Sequence, residues 1–387
     1  MSEIIDTQTP EEKSHKAARL LPLDALRGLI IAFMTLDHAN LFIAQKHSPG
    51  EYWGGGFPVY YDGLAFLTRF LTHLCAPGFF FLMGAGMTLF ALSRHARGWS
   101  RWAVIRHFLV RGGLLIAAQL LVINRAWELS PGWSIKTYIG VLFALGGTMI
   151  LGSLLLWLKP RYLIGLTVIL VVGTELLVPD PSLWGPGTNS LSLLLMVPGG
   201  IGPGGKVVLW SNYPLLPWLE LVTFGMAFGR WLADNPRQAF ERALKLGGAF
   251  LLGFVVIRYL DGFGNIRPRM GNSWSDFLNP VKYPPSITFT LLTMGLNLMV
   301  MALFARASEA AGRFLQPLAV FGRTPLFFYI LHVFLYARLA LWLTPNGTSI
   351  PAMYPYWILG LLILFPLCLW YGRFKHRQPA NSILRFL

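Results

Sequence analysis

LDALRGLIIAFMTLDH, residues 23–38, is an apolar stretch that begins with one acid–base pair and ends with another. It is long enough to form most of a membrane-spanning helix, which needs about 20 residues. An Asp or Arg at the centre of a bilayer helix costs about 2.5–3.5 kcal/mol on insertion scales, so ionisable residues inside a span usually serve a function. The stretch therefore predicts a transmembrane helix that carries functional side chains.

The spacing within this stretch places its polar residues along one side of the predicted helix. At about 100° per residue, Arg27 and His38 lie roughly 20° apart, and Asp24 shares their face. A rise of about 1.5 Å per residue separates Arg27 from His38 by roughly 16 Å, so one polar stripe crosses much of the bilayer. Asp37 points away from His38, because successive helical residues do not face each other, and we expect it to contact a second helix.

The composition of the whole chain predicts an all-α, polytopic membrane protein. Of its 387 residues, 55% are hydrophobic and only 13% are charged, against about 25% charged in soluble proteins. The formal net charge of +15 does not indicate nucleic-acid binding, because Lys and Arg flank apolar stretches instead of forming a basic domain. Cys75 and Cys368 lie in apolar stretches, which argues against a disulfide framework or a CxxC site.

The distribution of apolar and charged residues predicts the topology. Residues 1–20 are expected to form a disordered cytoplasmic tail, and residues 21–387 a single transmembrane domain. About ten helices of spanning length are predicted, at residues 24–43, 64–93, 103–123, 137–158, 162–178, 214–233, 244–260, 286–305, 317–343 and 355–372. Lys and Arg concentrate on alternate connections, so the positive-inside rule puts both termini in the cytoplasm.

The long connections fall on the predicted outer side, at residues 44–63, 179–213, 261–285 and 344–354. Binding residues often lie on such loops. Residues 191–198 form an apolar segment that is too short to span, and it is predicted to be re-entrant or interfacial. No strong internal repeat is evident, which disfavours an inverted-repeat transporter.

Two histidines inside predicted spans are the strongest candidates for chemistry. Counted from their helix entries, His38 and His73 lie at the same level, roughly 10–13 Å below the outer surface. We expect them to meet in one cavity, the alternative for each being a structural bond to a neighbouring helix. Arg69 shares a face with His73, and an interfacial anchor is its alternative role.

Two further histidines are weaker candidates. His332 shares a face with Tyr329 and Tyr336, which favours packing, and His47 in the first outer loop is most simply a solvated residue. Asp37, His38 and His73 are of metal-ligating types, but no HExxH-like spacing sets two ligands on one face. No metal is therefore predicted.

Five segments together resemble a known family. They are LDALRG at 23–28 with Asp37 and His38, LTRFLTHLCAP at 67–77 followed by FLMG at 81–84, YPLLPW at 213–218, KYPPS at 282–286, and GRTPLFFYILH at 322–332. In this order they resemble the bacterial branch of the heparan-α-glucosaminide N-acetyltransferase catalytic-domain family, within the transmembrane acyltransferases. The resemblance runs over nearly the whole chain.

The resemblance implies acyl transfer across a membrane. Acetyl-CoA would bind from the cytoplasm as the acyl donor, and the acyl group would pass to an amino sugar or sugar hydroxyl on the far side. The implied location is the lipid bilayer of a bacterial inner membrane, and the resemblance leaves a homodimer open. In the animal enzyme the essential histidine follows the span matched here by residues 24–43, and Asn stands where this chain has His38. A short gap would place that histidine near His47, so both His38 and His47 are candidates.

Roles follow from this resemblance as a hypothesis. The cofactor-binding candidates are Arg27 and Arg323, which would receive the CoA phosphates, together with Asp24, Arg69 and His332. Plain positive-inside topology is the alternative explanation for the arginines.

The catalytic candidates are His38, His73, Asp37 and His47. A neutral His38 or His73 would take the proton of the attacking amine or hydroxyl, and a transient acyl-histidine is the alternative. Asp37 would orient an imidazole from a second helix.

Two other functions compete with acyl transfer. Intramembrane Asp and His also serve as proton relays, which fits a proton-coupled transporter or flippase of a small or lipid-linked solute. A non-catalytic membrane subunit is the third class. Release of CoA in the presence of a glycan acceptor would distinguish the enzyme from the other two.

Overall fold

The computed structural model describes residues 10–48, 50–130, 132–178, 180, 190–202 and 207–379. The described chain is mostly helical. Its α-helices are α1 Pro10–Ala39, α2 Gly63–Thr72, α3 Cys75–His95, α4 Arg101–Ala118, α5 Asn124–Trp127, α6 Val141–Leu155, α7 Pro160–Leu177, α8 Ser190–Leu195, α9 Leu215–Asp234, α10 Pro236–Leu260, α11 Trp274–Phe277, α12 Ile287–Ala311, α13 Gln316–Arg323, α14 Pro325–Leu343 and α15 Ile350–Arg377.

The predicted polytopic all-α class is confirmed. Eight helical segments among the described residues are long and apolar enough to cross a membrane. Two predicted spans do not belong to these eight: α6 has only 15 residues, and α9, although 20 residues long, is not apolar enough over a spanning length. Residues 137–139, predicted as the start of a span, instead form a β-strand. Helix α1 begins at Pro10, inside the predicted tail, and residues 1–9 lie outside the described part.

Helix α1 lies in the interior of the bundle. Most of its apolar residues from Leu21 onward are buried, and it packs against α2, α3, α12, α13, α14 and α15. Helices α7, α10 and α15 are largely exposed along their apolar sides, as expected for helices that face lipid. The helix predicted to carry functional side chains is therefore enclosed by others.

Glycines allow α1 and α13 to approach very closely. A Cβ atom on Gly28 would lie 1.8 Å from the Leu318 carbonyl oxygen, and one on Gly322 would lie 1.9 Å from the Asp24 carbonyl oxygen. Only a residue without a side chain fits at such a contact. This crossing brings Arg27 and Arg323, next to the two glycines, to one end of the bundle.

The connections at the opposite end of α1 pair with one another. Strand β3 (Leu209–Ser211) pairs parallel with β1 (Thr137–Ile139) and antiparallel with β2 (Gly199–Ile201). The segment 191–198, predicted as re-entrant or interfacial, consists of most of the short helix α8 and the residues leading to β2.

The connection between α1 and α2, at the same end of the bundle, is tied to the segment before α12. The Trp53 amide donates to the Tyr283 carbonyl at 2.7 Å, and the Lys282 amide donates to the Glu51 carbonyl at 3.1 Å. Asp62 then caps α2 by accepting from the Ala65 amide at 2.8 Å, which satisfies a free donor of the first turn. The chain thus carries Glu51 back over the end of α1.

Candidate active site

The end of α1 that carries Asp37 and His38 opens into a cavity of about 260 Å³. We call it the histidine cavity. Its walls come from the ends of several helices and from the paired connections above them. They comprise Asp37, His38, Leu41, His47, Ser48, Gly50, Glu51, Tyr52, Arg69, Trp127, Trp133, Ile135, Tyr138, Val141, Trp210, Asn212, Tyr213, Tyr283 and Tyr329. Acidic, imidazole and aromatic groups therefore share one small chamber.

Arg69 connects two carboxylates at the floor of this cavity. Its guanidinium pairs with Glu51 through two nitrogens and with Asp37 through a third contact. Thr72, one helical turn later, donates to Asp37 at 3.1 Å. The prediction that Asp37 contacts a second helix is confirmed, because Arg69 and Thr72 both belong to α2. Arg69 is only 2% exposed, so this pairing takes place away from water.

The buried charged cluster around Arg69 also contains Glu51 and Lys282. Lys282 Nζ lies 3.9 Å from a Glu51 carboxylate oxygen, and both side chains are buried. Burial alone would raise the pKa of Glu51, but Arg69, with His73 and Lys282, holds that pKa well below its usual range. Burial lowers the pKa of Lys282 to about 8, and the nearby Arg69 adds to the effect. With Asp37 and Arg69 ionised, two carboxylates face two cations, and the charge is balanced.

His73 is a further hydrogen-bond partner of Glu51. Its Nε2 lies 3.0 Å from Glu51 Oε1, and its ring packs against Phe289 with centroids 5.7 Å apart. Among the described residues that line the histidine cavity, His38 is present and His73 is absent. The prediction that the two imidazoles meet in one cavity is therefore wrong, because His73 is buried outside the cavity wall with its Nε2 bonded to Glu51. A catalytic role for His73 stays a prediction.

The partner of His38 is His332. Nδ1 of His38 lies 2.6 Å from Nε2 of His332, and His332 Nδ1 lies 3.0 Å from the Phe328 carbonyl oxygen. A carbonyl only accepts, so His332 Nδ1 donates to it, and in a neutral pair His332 Nε2 must accept from His38 Nδ1. The remaining nitrogen, His38 Nε2, then carries a lone pair. We infer that His332 sets the tautomer of His38.

His47 also reaches the cavity, from the connection after α1. Its Nε2 lies 3.5 Å from Asp37 Oδ1, and its side chain is 26% exposed. His47 was expected to be a solvated loop residue. It is partly exposed, but its imidazole also lines the cavity and contacts Asp37. The same carboxylate contacts Arg69 and His47 together.

A second cavity, of about 330 Å³, opens at the other end of α1. We call it the basic cavity. Its cationic side chains are Arg27, Arg111, Arg323 and Lys375, and most of its remaining wall is apolar, comprising Phe79, Leu82, Met83, Gly86, Met87, Phe90, Phe108, Leu115, Val141, Leu142, Leu145, Met149, Pro325, Leu326 and Tyr329. Such a combination suits a ligand with an anionic head and an apolar arm.

Asp24 organises the arginines of the basic cavity. It accepts from Arg27 Nη1 at 3.1 Å and from Arg323 Nε at 3.3 Å. Arg27 also donates to the Gly322 carbonyl at 2.9 Å, which ties α1 to α13. The observed contacts of Asp24 are those of a residue that orients the two guanidinium groups, and the cofactor-binding role predicted for it stays a prediction.

The two cavities share two wall residues, Val141 and Tyr329. Val141 begins α6, and Tyr329 lies on α14, three residues before His332. Arg27 lines one cavity and His38 the other, so the two ends of the polar stripe predicted along α1 lie in two different cavities.

Two predicted cofactor-binding residues lie elsewhere. Arg69 pairs with carboxylates at the histidine cavity, and His332 stacks on His38 with ring centroids 4.8 Å apart. Both lie at the opposite end of α1 from Arg27 and Arg323, and a cofactor-binding role for them stays a prediction. Glu51 and Lys282 were missed as site residues. An acid close to an apolar span and a lysine within the KYPPS segment were the signals in the sequence.

Among the described residues, no group of three or more His, Cys, Asp and Glu side chains converges as a metal site would require.

Comparison with known proteins agrees with this architecture. The model of the family described as "Heparan-alpha-glucosaminide N-acetyltransferase, catalytic" matches residues 19–255, more than half of the chain. Heparan-alpha-glucosaminide N-acetyltransferase of Mus musculus is 28% identical over 140 residues, which are 36% of this chain and 19% of that relative. The matched part therefore spans about a fifth of the curated relative. The structure has the membrane-spanning helices of a multi-pass protein, and the chain belongs to the heparan-alpha-glucosaminide N-acetyltransferase catalytic-domain family.

Proposed function

We propose that this protein is a membrane acyltransferase that moves an acyl group, in the first place acetyl, from CoA to an amino sugar or a sugar hydroxyl. The observation that carries this proposal is the meeting of two chemically different cavities at Val141 and Tyr329. One cavity suits an anionic donor, and the other holds imidazoles and carboxylates. The name of the mouse relative supports the class of reaction.

The donor occupies the basic cavity in this proposal. The cationic groups of Arg27, Arg111, Arg323 and Lys375 receive the CoA phosphates, since guanidinium groups match phosphate oxygens in charge and geometry. The apolar wall takes the pantetheine arm. The thioester then reaches the boundary with the histidine cavity, where Tyr329 and Val141 lie.

The acceptor occupies the histidine cavity. His38 Nε2 takes the proton as the amine or hydroxyl attacks the thioester carbonyl, and His332 keeps the lone pair on that nitrogen. The tetrahedral intermediate then expels the CoA thiolate, which recovers the proton from His38. Attack of His38 itself on the thioester, giving a transient acyl-histidine, is the alternative first step.

Asp37 and His73 act through other groups. Asp37 orients Arg69 and His47, and His73 orients Glu51, so both are positioning residues. His47 remains the second candidate for the base, since Asp37 contacts one of its nitrogens and the other is able to accept a proton.

The proposed sidedness rests on the charges at the two ends. Arg94 lies over the ring of Phe90, which lines the basic cavity, and α3 ends at His95 shortly before α4 begins at Arg101. The positive-inside rule favours the cytoplasm for this arginine-rich end. CoA would then enter from the cytoplasm and the acceptor from the outer side. A bacterial inner membrane is the proposed location, and a homodimer the proposed oligomer to be checked.

Acceptor-dependent release of CoA thiol from acetyl-CoA by the purified protein tests this function, with an oligosaccharide ending in glucosamine as acceptor. We expect His38→Ala to lower kcat by about 100- to 10,000-fold with acetyl-CoA binding retained, and His47→Ala to lower it less than about tenfold. His95→Ala, in an exposed histidine that is not among the lining residues of either cavity, is the matched control. The reverse order would move the base to His47. Full turnover by both variants would overturn both assignments.

A second function rests on the buried chain of Asp37, Arg69, Glu51 and His73, since linked ionisable groups also serve as proton relays. A transporter would take up an amino sugar into liposomes in response to a pH gradient without acetyl-CoA. Uptake of this kind, together with no acceptor-dependent CoA release, would replace the enzymatic proposal.

A further inference from the structure

Tyr329 occupies the boundary between the two cavities. It lines both of them, and among the described residues only Val141 does the same. Val141 has no polar side-chain atom. Of the two side chains shared by both walls, that of Tyr329 is therefore the one with a polar atom to offer an acyl group at this boundary.

The hydroxyl of Tyr329 forms no hydrogen bond with another described residue. Three other tyrosines of the histidine cavity differ in this respect. Tyr138 accepts from Asn212 at 3.1 Å, and Tyr213 and Tyr283 bond to each other at 2.9 Å. A phenolic O–H that lies in an apolar setting normally finds a partner. The Tyr329 hydroxyl lacks such a partner among the described residues, which favours a bound ligand as its hydrogen-bond partner.

The ring of Tyr329 is held against the histidine pair. It meets His38 edge-on, with centroids 6.4 Å apart and an interplanar angle of 87°. It meets His332 at 5.2 Å and 82°. Tyr329 is 5% exposed, so packing leaves the ring little freedom. The free hydroxyl and the proposed base therefore belong to one rigid unit.

We propose that Tyr329 is a catalytic residue that donates a hydrogen bond to the acyl carbonyl oxygen. As the amine or hydroxyl attacks, its bond to the carbonyl carbon forms, the carbonyl π electrons move to oxygen, and the acceptor proton goes to His38 Nε2. The Tyr329 O–H stabilises the resulting oxyanion without giving up its proton. When the carbonyl re-forms, the C–S bond breaks and the thiolate takes the proton from His38.

This role is physically reasonable, because a fixed donor aimed at a developing negative charge contributes most where water is excluded. The inference rests on the proposed acyl transfer. It adds a residue that the sequence pattern presented only as a neighbour of His332.

The test compares Tyr329→Phe with Tyr336→Phe in the acyl-transfer assay. Tyr336 lies two turns further along α14, lines neither cavity among the described residues, and donates to the Trp357 carbonyl at 2.7 Å. Removal of one oxyanion donor typically costs about 100- to 1,000-fold in kcat. We expect such a loss for Tyr329→Phe with KM for acetyl-CoA changed less than about threefold, and kcat of Tyr336→Phe within about threefold of the original protein.

The outcomes separate this inference from the proposed function. If the original protein shows no acyl transfer, the proposed function fails. If it is active and Tyr329→Phe keeps kcat within about threefold, the inference fails alone. Should the Phe variant not fold, Tyr329→Gln and Tyr329→Leu replace it, since Gln supplies a donor and Leu does not. Higher kcat for Gln supports the inference, and equal or lower kcat overturns it.

Discussion

The two cavities on either side of Tyr329 hold their charges differently. In the histidine cavity Arg69 and Glu51 are 2% and 5% exposed and are matched by opposite charges. In the basic cavity Arg27 and Arg323 are 22% and 50% exposed and share the carboxylate of Asp24, and Arg111 and Lys375 add two further cationic side chains to the wall. Buried, balanced charge gives a fixed geometry, whereas exposed, unbalanced charge attracts an anion. We therefore expect mutations in one cavity to affect folding and in the other to affect binding.

The largest effect should come from Arg69→Met. Removing one partner of a buried ion pair costs about 3–5 kcal/mol, because the other charge stays buried without compensation, and here two carboxylates lose the guanidinium group that they share. Thermal unfolding and size-exclusion chromatography in detergent measure the loss. Arg125→Met is the control, since Arg125 is 67% exposed in its pair with Glu128 and such pairs contribute about 0–1 kcal/mol. Equal stability of the two variants would contradict the comparison.

A combined variant sharpens this result. If uncompensated charge is the cause, Arg69→Met with Asp37→Asn and Glu51→Gln should regain much of the lost stability, because neutral side chains cost less to bury. Failure to recover would assign the loss to the packing of the arginine instead. Acyl transfer would remain low in the combined variant.

At the basic cavity, Arg323→Gln should weaken the donor without unfolding the protein. Loss of a charge-assisted contact to phosphate, worth about 1.5 kcal/mol at a half-exposed site, predicts about a tenfold increase in KM for acetyl-CoA, with kcat little changed. The increase should shrink in high salt. Arg237→Gln, in an exposed arginine that pairs with Glu241, serves as the control. An unchanged KM would remove Arg323 from the proposed donor site.

The smallest effect concerns the pH dependence of stability through Lys282. Its pKa of about 8 in the folded chain lies below the ordinary value of about 10.4. Between these values the unfolded chain binds the proton and the folded chain does not, so stability due to this group rises with pH. The difference in unfolding temperature between the original protein and Lys282→Met should be constant below about pH 8 and move in favour of the original protein above it, by about 1–3 °C. A difference that does not vary with pH would contradict the buried position of Lys282.

The sequence predicted the elements of this fold more reliably than their contacts. Ten apolar segments were recognised by length, yet the 137–158 segment contains a strand followed by a helix of 15 residues. Periodicity correctly predicted that Asp37 would contact a second helix. Counting depth along two helices put His38 and His73 level, but depth does not determine how each helix is rotated.

The residues that were missed are those whose burial depends on loops. Glu51 lies in a connection, where a carboxylate is normally solvated, and it is buried because this connection pairs with residues 282–283. Likewise His332 was predicted to pack, and it does, but its ring nitrogen also bonds to His38 from a distant part of the chain.

The sequence by itself determined that the protein is a helical membrane protein with ionisable groups along its first span, because hydrophobic length and helical period are local properties of the chain. Only the tertiary structure decided which of these groups meet. The crossing of α1 and α13 brings Arg323 to Asp24, the pairing of loops buries Glu51 beside Arg69, and the rotation of α14 brings His332 to His38. Each contact joins residues far apart in sequence, and its geometry depends on how whole helices pack.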